Sequence, residues 1–253
     1  MDEDRLMKVI RDGSRPLRPV PTGVDPRGFG GEPRAGIRSA VGAVLLDVYG
    51  TILVSGSGDI GTLRESGGRN RRIRRLLARE GIRRDPREVR EAFIRIVEED
   101  HRQKRRRGVD CPEIRVEEVW REVLGCGPEQ AMLFAVEYET IVNPVWPMPG
   151  LDELVERMGR EREDGGRLLS GIISNAQFYT PLQLACFLGA PPEERGFLPE
   201  LLFYSYRTGH AKPSPFMFRE ARRVLEGRGI AAGSVLYVGN DMLKDILPAR
   251  EAG

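Results

Sequence analysis

Val41-Gly-Ala-Val-Leu-Leu46 runs straight into Asp47-Val-Tyr-Gly-Thr51, and the reading of the chain turns on that junction. A short apolar run bounded by a Gly-containing turn reads as a buried strand. A carboxylate at its end stands at the carboxyl edge of a parallel sheet, where α/β folds place their reactive groups. Three further segments end in the same manner. Leu168-Leu-Ser-Gly-Ile-Ile173 ends in Ser174-Asn175, Leu201-Leu-Phe-Tyr204 leads into a loop carrying Lys212, and Val235-Leu-Tyr-Val238 ends in Gly239-Asn240-Asp241. Side by side and parallel, these strands bring a carboxylate, a hydroxyl, an ammonium and further carboxylates to one rim.

The segments between the strands have helical spacing. Leu151, Leu154, Val155 and Met158 share one face, an apolar helix covers about Leu182 to Leu188, and Met217, Ala221, Val224 and Leu225 align after Pro215. Strands alternating with helices imply right-handed βαβ crossovers and a parallel sheet. Between Val54 and about Asn143 the pattern is helical throughout, with Val89, Phe93, Ile96 and Val97 on one face and Val116, Val119, Trp120, Val123 and Leu124 on another. Asp85 followed by Pro86 marks a helix start, the Asp as cap and the Pro at the first helical position. The chain is therefore read as an α/β protein, a Rossmann-like parallel sheet core over 41–55 and 145–253 with an all-helical cap inserted at 56–144. Residues 1–40, rich in Arg, Pro and Gly, read as an extended or disordered arm, because such composition buries too little surface to offset its ordering entropy.

Composition narrows the function classes. A chain of 253 residues with 40% hydrophobic content can bury a sizeable core. Cys111, Cys126 and Cys186 show no CxxC spacing, which argues against a zinc cluster or a disulfide framework and fits a reducing cytoplasm. No stretch approaches the ~20 apolar residues of a membrane span. Lysine occurs only at Lys8, Lys104, Lys212 and Lys244, the rest of the 40 basic residues being arginine, so the position of Lys212 is informative where arginine count is not. The cap arginines from Arg64 to Arg107 could steer an anionic small molecule, but interleaved acids such as Glu88, Glu91, Glu98 and Glu99 favour a solvated helix face. Neither an aromatic stacking platform nor a readout helix accompanies the basic residues, which argues against a nucleic-acid binder.

Taken together, Asp47-Val-Tyr-Gly-Thr51, Ser174-Asn175, Lys212-Pro-Ser-Pro215 and Gly239-Asn-Asp-Met-Leu-Lys-Asp245 resemble the four motifs of the haloacid dehalogenase (HAD)-like hydrolase superfamily, in order, over residues 41–253, with the helical insertion in the place of a C1-type cap. The resemblance implies that Asp47 is the covalent attacker, that Lys212 holds it ionised and neutralises the bound group, and that Ser174 donates a hydrogen bond to that group. It implies substrate contacts at Thr51 and Asn175, and a Mg2+ site made from Asp47, the main-chain carbonyl of Tyr49, Asp241 and Asp245, an oxygen-only shell of the kind this ion takes. Asp241 is the expected direct ligand and Asp245 a residue behind it. Ser55-Gly-Ser-Gly-Asp-Ile-Gly61 would be the hinge of the cap.

The pattern departs from its family at one place. Phosphatases of the family carry a second Asp two positions after the attacker, to protonate the leaving oxygen and then activate water, and here that position is Tyr49. A phenol of ordinary pKa near ~10 is a poor acid-base group at neutral pH. The Asp-x-Tyr-Gly-Thr form and Ser174-Asn175 resemble the 2-haloacid dehalogenase branch, in which a halide leaves without a proton and no metal is needed. Asp241 and Asp245 point the other way, because two carboxylates near Asp47 oppose its ionisation unless a cation is present. The sequence reading is thus a Mg2+-dependent phosphatase acting on a small phosphorylated metabolite. A dehalogenase-type hydrolase is the alternative, and an inactive HAD-fold binding protein with nucleic-acid affinity is the alternative of another class. Family members usually continue into a further strand and helix beyond the fourth motif, so an exposed sheet edge open to self-association is expected here.

Overall fold

The computed structural model describes residues 3–19, 41–56, 67–163 and 168–253. The first element is one that the sequence reading did not anticipate. Residues 3–13, assigned to an extended arm, form helix α1 (Glu3–Gly13), with Leu6 and Ile10 buried. Reading the arm as one compositional unit overlooked the i, i+4 pair that gives this short piece an apolar face. The remainder of the arm from residue 20 to residue 40 lies outside the described residues.

Strand β1 (Ala43–Leu46) leads into the Asp47 turn, and β2 (Leu53–Ser55) carries the chain towards the cap. The cap helices are α2 (Gly67–Arg79), α3 (Pro86–Arg106), α4 (Val116–Leu124) and α5 (Pro128–Val142). Asp85 does cap α3, its side chain accepting from the Arg87 N–H at 2.9 Å, with Pro86 in the first turn. Trp120, Phe134, Phe93 and Tyr138 form the aromatic centre of the cap, with ring centroids 4.6 to 4.8 Å from Trp120. The apolar cluster built on them takes in Leu6 and Ile10 of α1 and also Phe178 and Tyr179, so cap and core share one packed region.

The chain returns through β3 (Val145–Pro147), which pairs antiparallel with β2. These two strands, three residues each, are too short to show a period, and they flank the segment read as helical without having been recognised themselves. The core then continues with α6 (Leu151–Glu163), β4 (Leu169–Ser174), α7 (Tyr179–Leu188), β5 (Leu202–Tyr204), a single turn α8 (Ser205–Thr208), α9 (Phe216–Gly227), β6 (Val235–Val238) and α10 (Leu247–Glu251). Among the described residues, four strands form a parallel sheet in the order β5-β4-β1-β6. Their alternation divides the core. Leu46 and Ile172 face Val155, Met158, Leu184 and Leu188 of α6 and α7, whereas Leu45 and Ile173 face Met217, Phe218, Ala221 and Leu225 of α9. β6 lies at the sheet edge with Leu236 and Val238 exposed. No helix among the described residues is long and apolar enough to cross a membrane.

Candidate active site

The parallel register sets the ends of β1 and β6 level with one another, and β4 runs two residues further, to Ser174. Asp47, one residue beyond β1, is kept in line by its own N–H, which donates to the Val238 carbonyl at 2.9 Å. The turn that follows needs its glycine twice over. Gly50 has φ 87°, and a β-carbon there would collide with the side chain of Asn240 from the fourth motif.

Asp47 is only 5% exposed, and so is Lys212. The Lys212 ammonium donates to Asp47 Oδ1 at 2.7 Å and to Asp245 Oδ1 at 2.5 Å, and reaches the Ile173 carbonyl at 3.4 Å and the Tyr237 hydroxyl at 3.2 Å. Burial pushes the Asp47 carboxyl above its usual range; the Lys212 charge opposes that shift and the neighbouring Asp245 adds to it. Among the described residues, the Lys212 cation is the main influence favouring the ionised form of this buried carboxylate, with a backbone hydrogen bond from Val48 beside it.

Asp245 reaches Lys212 from a π-helical turn, Met242–Ile246, that precedes α10. Its Oδ1 also accepts from Tyr237 at 2.8 Å, and its Oδ2 accepts the Asp241 N–H at 2.9 Å. The close approach requires Gly239, since a β-carbon there would run into the Asp245 carboxyl. Asp241 uses Oδ1 to cap the turn, accepting from Leu243 N at 2.8 Å and Lys244 N at 2.9 Å; its carboxyl is held below the usual range, by the Lys244 N–H first.

Asn175 holds the main chain of Lys212 at both ends of its amide, accepting from Lys212 N at 2.6 Å and donating to Lys212 O at 3.0 Å. Asn175, expected to contact substrate, also lines the cavity in front of Asp47, so its amide positions the Lys212 main chain from the cavity wall. Ser174 is fully buried with its hydroxyl donating to the Asn175 carbonyl at 3.3 Å, and it does not reach the cavity wall. Thr51 Oγ1 is buried without a hydrogen-bond partner among the described residues and also stands off the cavity. The Tyr49 hydroxyl is tied to Thr180 Oγ1 and Gln183 Oε1 of α7, each at 2.7 Å, and burial raises its pKa well above that of an ordinary phenol.

The cavity in front of Asp47 encloses about 110 Å³. A single water needs ~10–15 Å³ by the same measure, so a small polar headgroup fits. Asp47, Lys212, Asp241, Lys244, Asp245 and Asn240 line it from the core. Ser55, Glu139 and Asn143 close it at the junction with the cap, a set that carries no motif and that sequence reasoning did not find. Tyr237 was missed too, although its place two residues before Gly239 on a strand facing α9 was a usable signal. The loop before α4 also docks on the core beside Lys212. Glu113 N donates to Gly209 O at 3.0 Å, Ala211 N donates to Cys111 O at 2.8 Å, and the Glu113 carboxylate accepts from Ser205 Oγ at 2.7 Å and Gln177 Nε2 at 3.1 Å.

Among the described residues no group of three or more His, Cys, Asp or Glu side chains is arranged to hold a metal ion. Asp245 is occupied by Lys212, Tyr237 and the Asp241 N–H. Asp47 and Asp241 remain on the cavity wall together with the Tyr49 turn, and two carboxylates with a carbonyl suit a Mg2+ ion that keeps several waters. The donor set fits that ion, though not a cage that includes Asp245.

No family model matches the chain, and no curated protein matches it significantly. Solved structures do. A 2-haloacid dehalogenase from Pseudomonas syringae pv. Tomato DC3000 is similar at 19% identity, with 84% of each chain covered and a TM-score of 0.52. The fold is that of the HAD-like hydrolases. A HAD-superfamily hydrolase of subfamily IA, variant 1, from Geobacter sulfurreducens PCA is similar at 19% identity and TM-score 0.42, covering 85% of this chain and 84% of its own. The HAD-hydrolase YfnB from Bacillus subtilis, in a structure with bound magnesium, is similar at 18% identity and TM-score 0.46, covering 83% and 85%. The HAD-like sheet explains why four segments so distant in sequence meet: each ends a strand, or the loop after one, at the same edge of the sheet.

Proposed function

We propose that this HAD-like protein is a hydrolase that uses Asp47 as a covalent attacker on a small phosphorylated metabolite. The observation that carries the reading is the Lys212 ammonium held between Asp47 at 2.7 Å and Asp245 at 2.5 Å, at a sheet edge that opens on a small polar cavity. A buried carboxylate kept ionised by a fixed cation is an activated nucleophile. In the first step a carboxylate oxygen of Asp47 bonds to phosphorus as the ester oxygen leaves and takes up a proton. In the second, water adds to phosphorus, gives up a proton, and releases inorganic phosphate and free Asp47. Lys212 neutralises charge on the transferring group in both steps. Asp245 and Tyr237 hold the ammonium in place, and Asn175 holds the main chain that carries it. Mg2+, when bound by Asp47, Asp241 and the Tyr49 carbonyl, would supply further charge neutralisation at the phosphoryl oxygens.

A second reading is favoured by Tyr49, whose hydroxyl is bound into α7 and offers no proton to a leaving oxygen. In a 2-haloacid dehalogenase-type reaction Asp47 would displace halide from carbon, and water would then cleave the ester. The test is turnover of p-nitrophenyl phosphate, acetyl phosphate and 2-chloropropionate, each with Mg2+ and with chelator, for the wild type and Asp47→Asn. Chelator-sensitive phosphate release that Asp47→Asn abolishes is expected. Halide release indifferent to chelator would transfer the assignment to the second reading, and undiminished product from Asp47→Asn would remove both.

A further inference from the structure

The hydrolase reading leaves one task unassigned, namely who protonates the leaving oxygen and then takes the proton from water. The Tyr49 hydroxyl is held by Thr180 and Gln183, and the only histidine near Lys212 in sequence, His210, stacks on Phe216 with ring centroids 4.0 Å apart. Of the carboxyls on the cavity wall among the described residues, Asp47 and Asp245 bind Lys212 and Asp241 caps the turn before α10, which leaves Glu139. Glu139, in the last turn of α5, lines the cavity with Asp47 and Lys212 and is only 8% exposed.

Its placement is specific. Asn143 Nδ2 donates to Glu139 Oε1 at 2.9 Å, and Ser55 Oγ donates to Asn143 Oδ1 at 2.7 Å, so the carboxyl is tied to both chain crossings between core and cap. Tyr179 of α7 donates to it as well. Resting on the proposed hydrolase reading, we infer that the Glu139 carboxyl is the general acid and base of the reaction, supplied by the cap helix in place of the acid that Tyr49 displaces.

The proton balance is closed. Neutral Glu139 gives its proton to the ester oxygen as the P–O bond breaks and Asp47 becomes phosphorylated. The resulting carboxylate takes a proton from the water whose oxygen bonds to phosphorus, and free Asp47, inorganic phosphate and neutral Glu139 remain. Burial supports the first state by pushing the Glu139 pKa up to about 7, against the hydrogen bonds from Asn143 and Tyr179 that favour the anion. Among the described residues, the phenols of Tyr49, Tyr138 and Tyr179, all of them shifted upward and neutral at that pH, interact with it, and Asp47, Lys212, Asp241, Lys244 and Asp245 share its cavity. A carboxyl tuned to this range is matched to proton transfer near neutrality, an effect worth ~10²–10⁴-fold in rate.

The test is a leaving-group series, ethyl phosphate against p-nitrophenyl phosphate, for wild type, Glu139→Gln and Asp47→Asn. For Glu139→Gln we expect kcat/KM on ethyl phosphate to fall ~10²-fold or more, with a clearly smaller fall on p-nitrophenyl phosphate, whose leaving group needs no proton. A purely structural role would lower both alike, and equal losses or none overturn the inference while turnover that requires Asp47 keeps the hydrolase reading. Should Glu139→Gln not fold, the wild-type pH profile decides. kcat/KM for ethyl phosphate should decline above about pH 7 and that for p-nitrophenyl phosphate should not; parallel profiles overturn the inference. Absence of any phosphate-ester turnover by the wild type overturns this inference and the reading it rests on together.

Discussion

The side-chain amide of Asn175 grips Lys212 by its main chain, with Lys212 N 2.6 Å from Oδ1 and Lys212 O 3.0 Å from Nδ2. One amide thus does for a loop what a neighbouring strand does for a strand, and it fixes the origin of the side chain whose ammonium lies between Asp47 and Asp245. Asn175→Ala removes both bonds. A buried loop left without partners loses about 1–3 kcal/mol of stability, and a misplaced Lys212 lowers kcat roughly 10–100-fold with KM little changed. Steady-state kinetics and urea unfolding measure the two effects; an unchanged kcat would show that Lys212 needs no such hold.

Replacing Lys212 by Met tests the cation itself. Asp47 and Asp245, 5% and 1% exposed, would then lie side by side without a counter-charge. Breaking a buried pair in this way is expected to cost about 3–5 kcal/mol, and turnover should vanish. Stability should recover in part when Asp245→Asn is added to Lys212→Met. A double variant no more stable than the single one would mean that the two carboxylates do not feel one another.

Tyr49→Phe separates the phenol from the chemistry. The hydroxyl bonds Thr180 and Gln183, so its loss should destabilise by about 1–3 kcal/mol, seen as a lower urea midpoint. Turnover should stay within ~3-fold of wild type, because a proton donor would instead account for ~10²–10⁴-fold. A loss in that range would return the phenol to the reaction.

Glu139 gives a stability signature that needs no substrate. Its carboxyl has an ordinary value of 4.5 and is raised to about 7 in the folded chain. Between those values the unfolded chain has released a proton that the folded chain retains, so stability falls as pH rises from about 4.5 to about 7, by about 3 kcal/mol in all, and is level above. The contribution has the opposite sign to that of Asp241, whose depressed carboxyl stabilises above its unfolded value and loses that stabilisation as pH falls. Urea unfolding at pH 5 and pH 7.5 should show the decline in wild type and a shallower one in Glu139→Gln; equal slopes would place the ionised form in the folded chain.

Much of the fold was legible because it is written in local pattern. The apolar runs at 43–46, 169–174, 202–204 and 235–238 are strands, and the faces of α3, α4, α6 and α9 follow their spacing. Asp47 at the end of β1, Lys212 in the loop beyond β5 and Asp245 in the turn beyond β6 do come together. What escaped was of two kinds. α1 and the β2–β3 pair are short, and a segment of three residues or a two-residue apolar face cannot be told from loop without its partner. Tyr237, Glu139, Asn143 and Ser55 escaped because no motif near them in the chain marks them; each matters through a hydrogen bond to a residue 4 to 88 positions away or through the cavity they share.

The sequence by itself determined the layered α/β core, the helical insertion and which side chains end at the reactive edge, since apolar periodicity and strand-end chemistry are properties of neighbouring residues. Only the tertiary structure decided what those side chains do to one another: that Asn175 serves Lys212, that Asp245 is bound to the ammonium, that Tyr49 is sealed into α7 and that a cap carboxyl faces the cavity. The physical reason is that burial and hydrogen-bond partners set the charge and freedom of a group, and both are supplied by chain segments far away along the sequence.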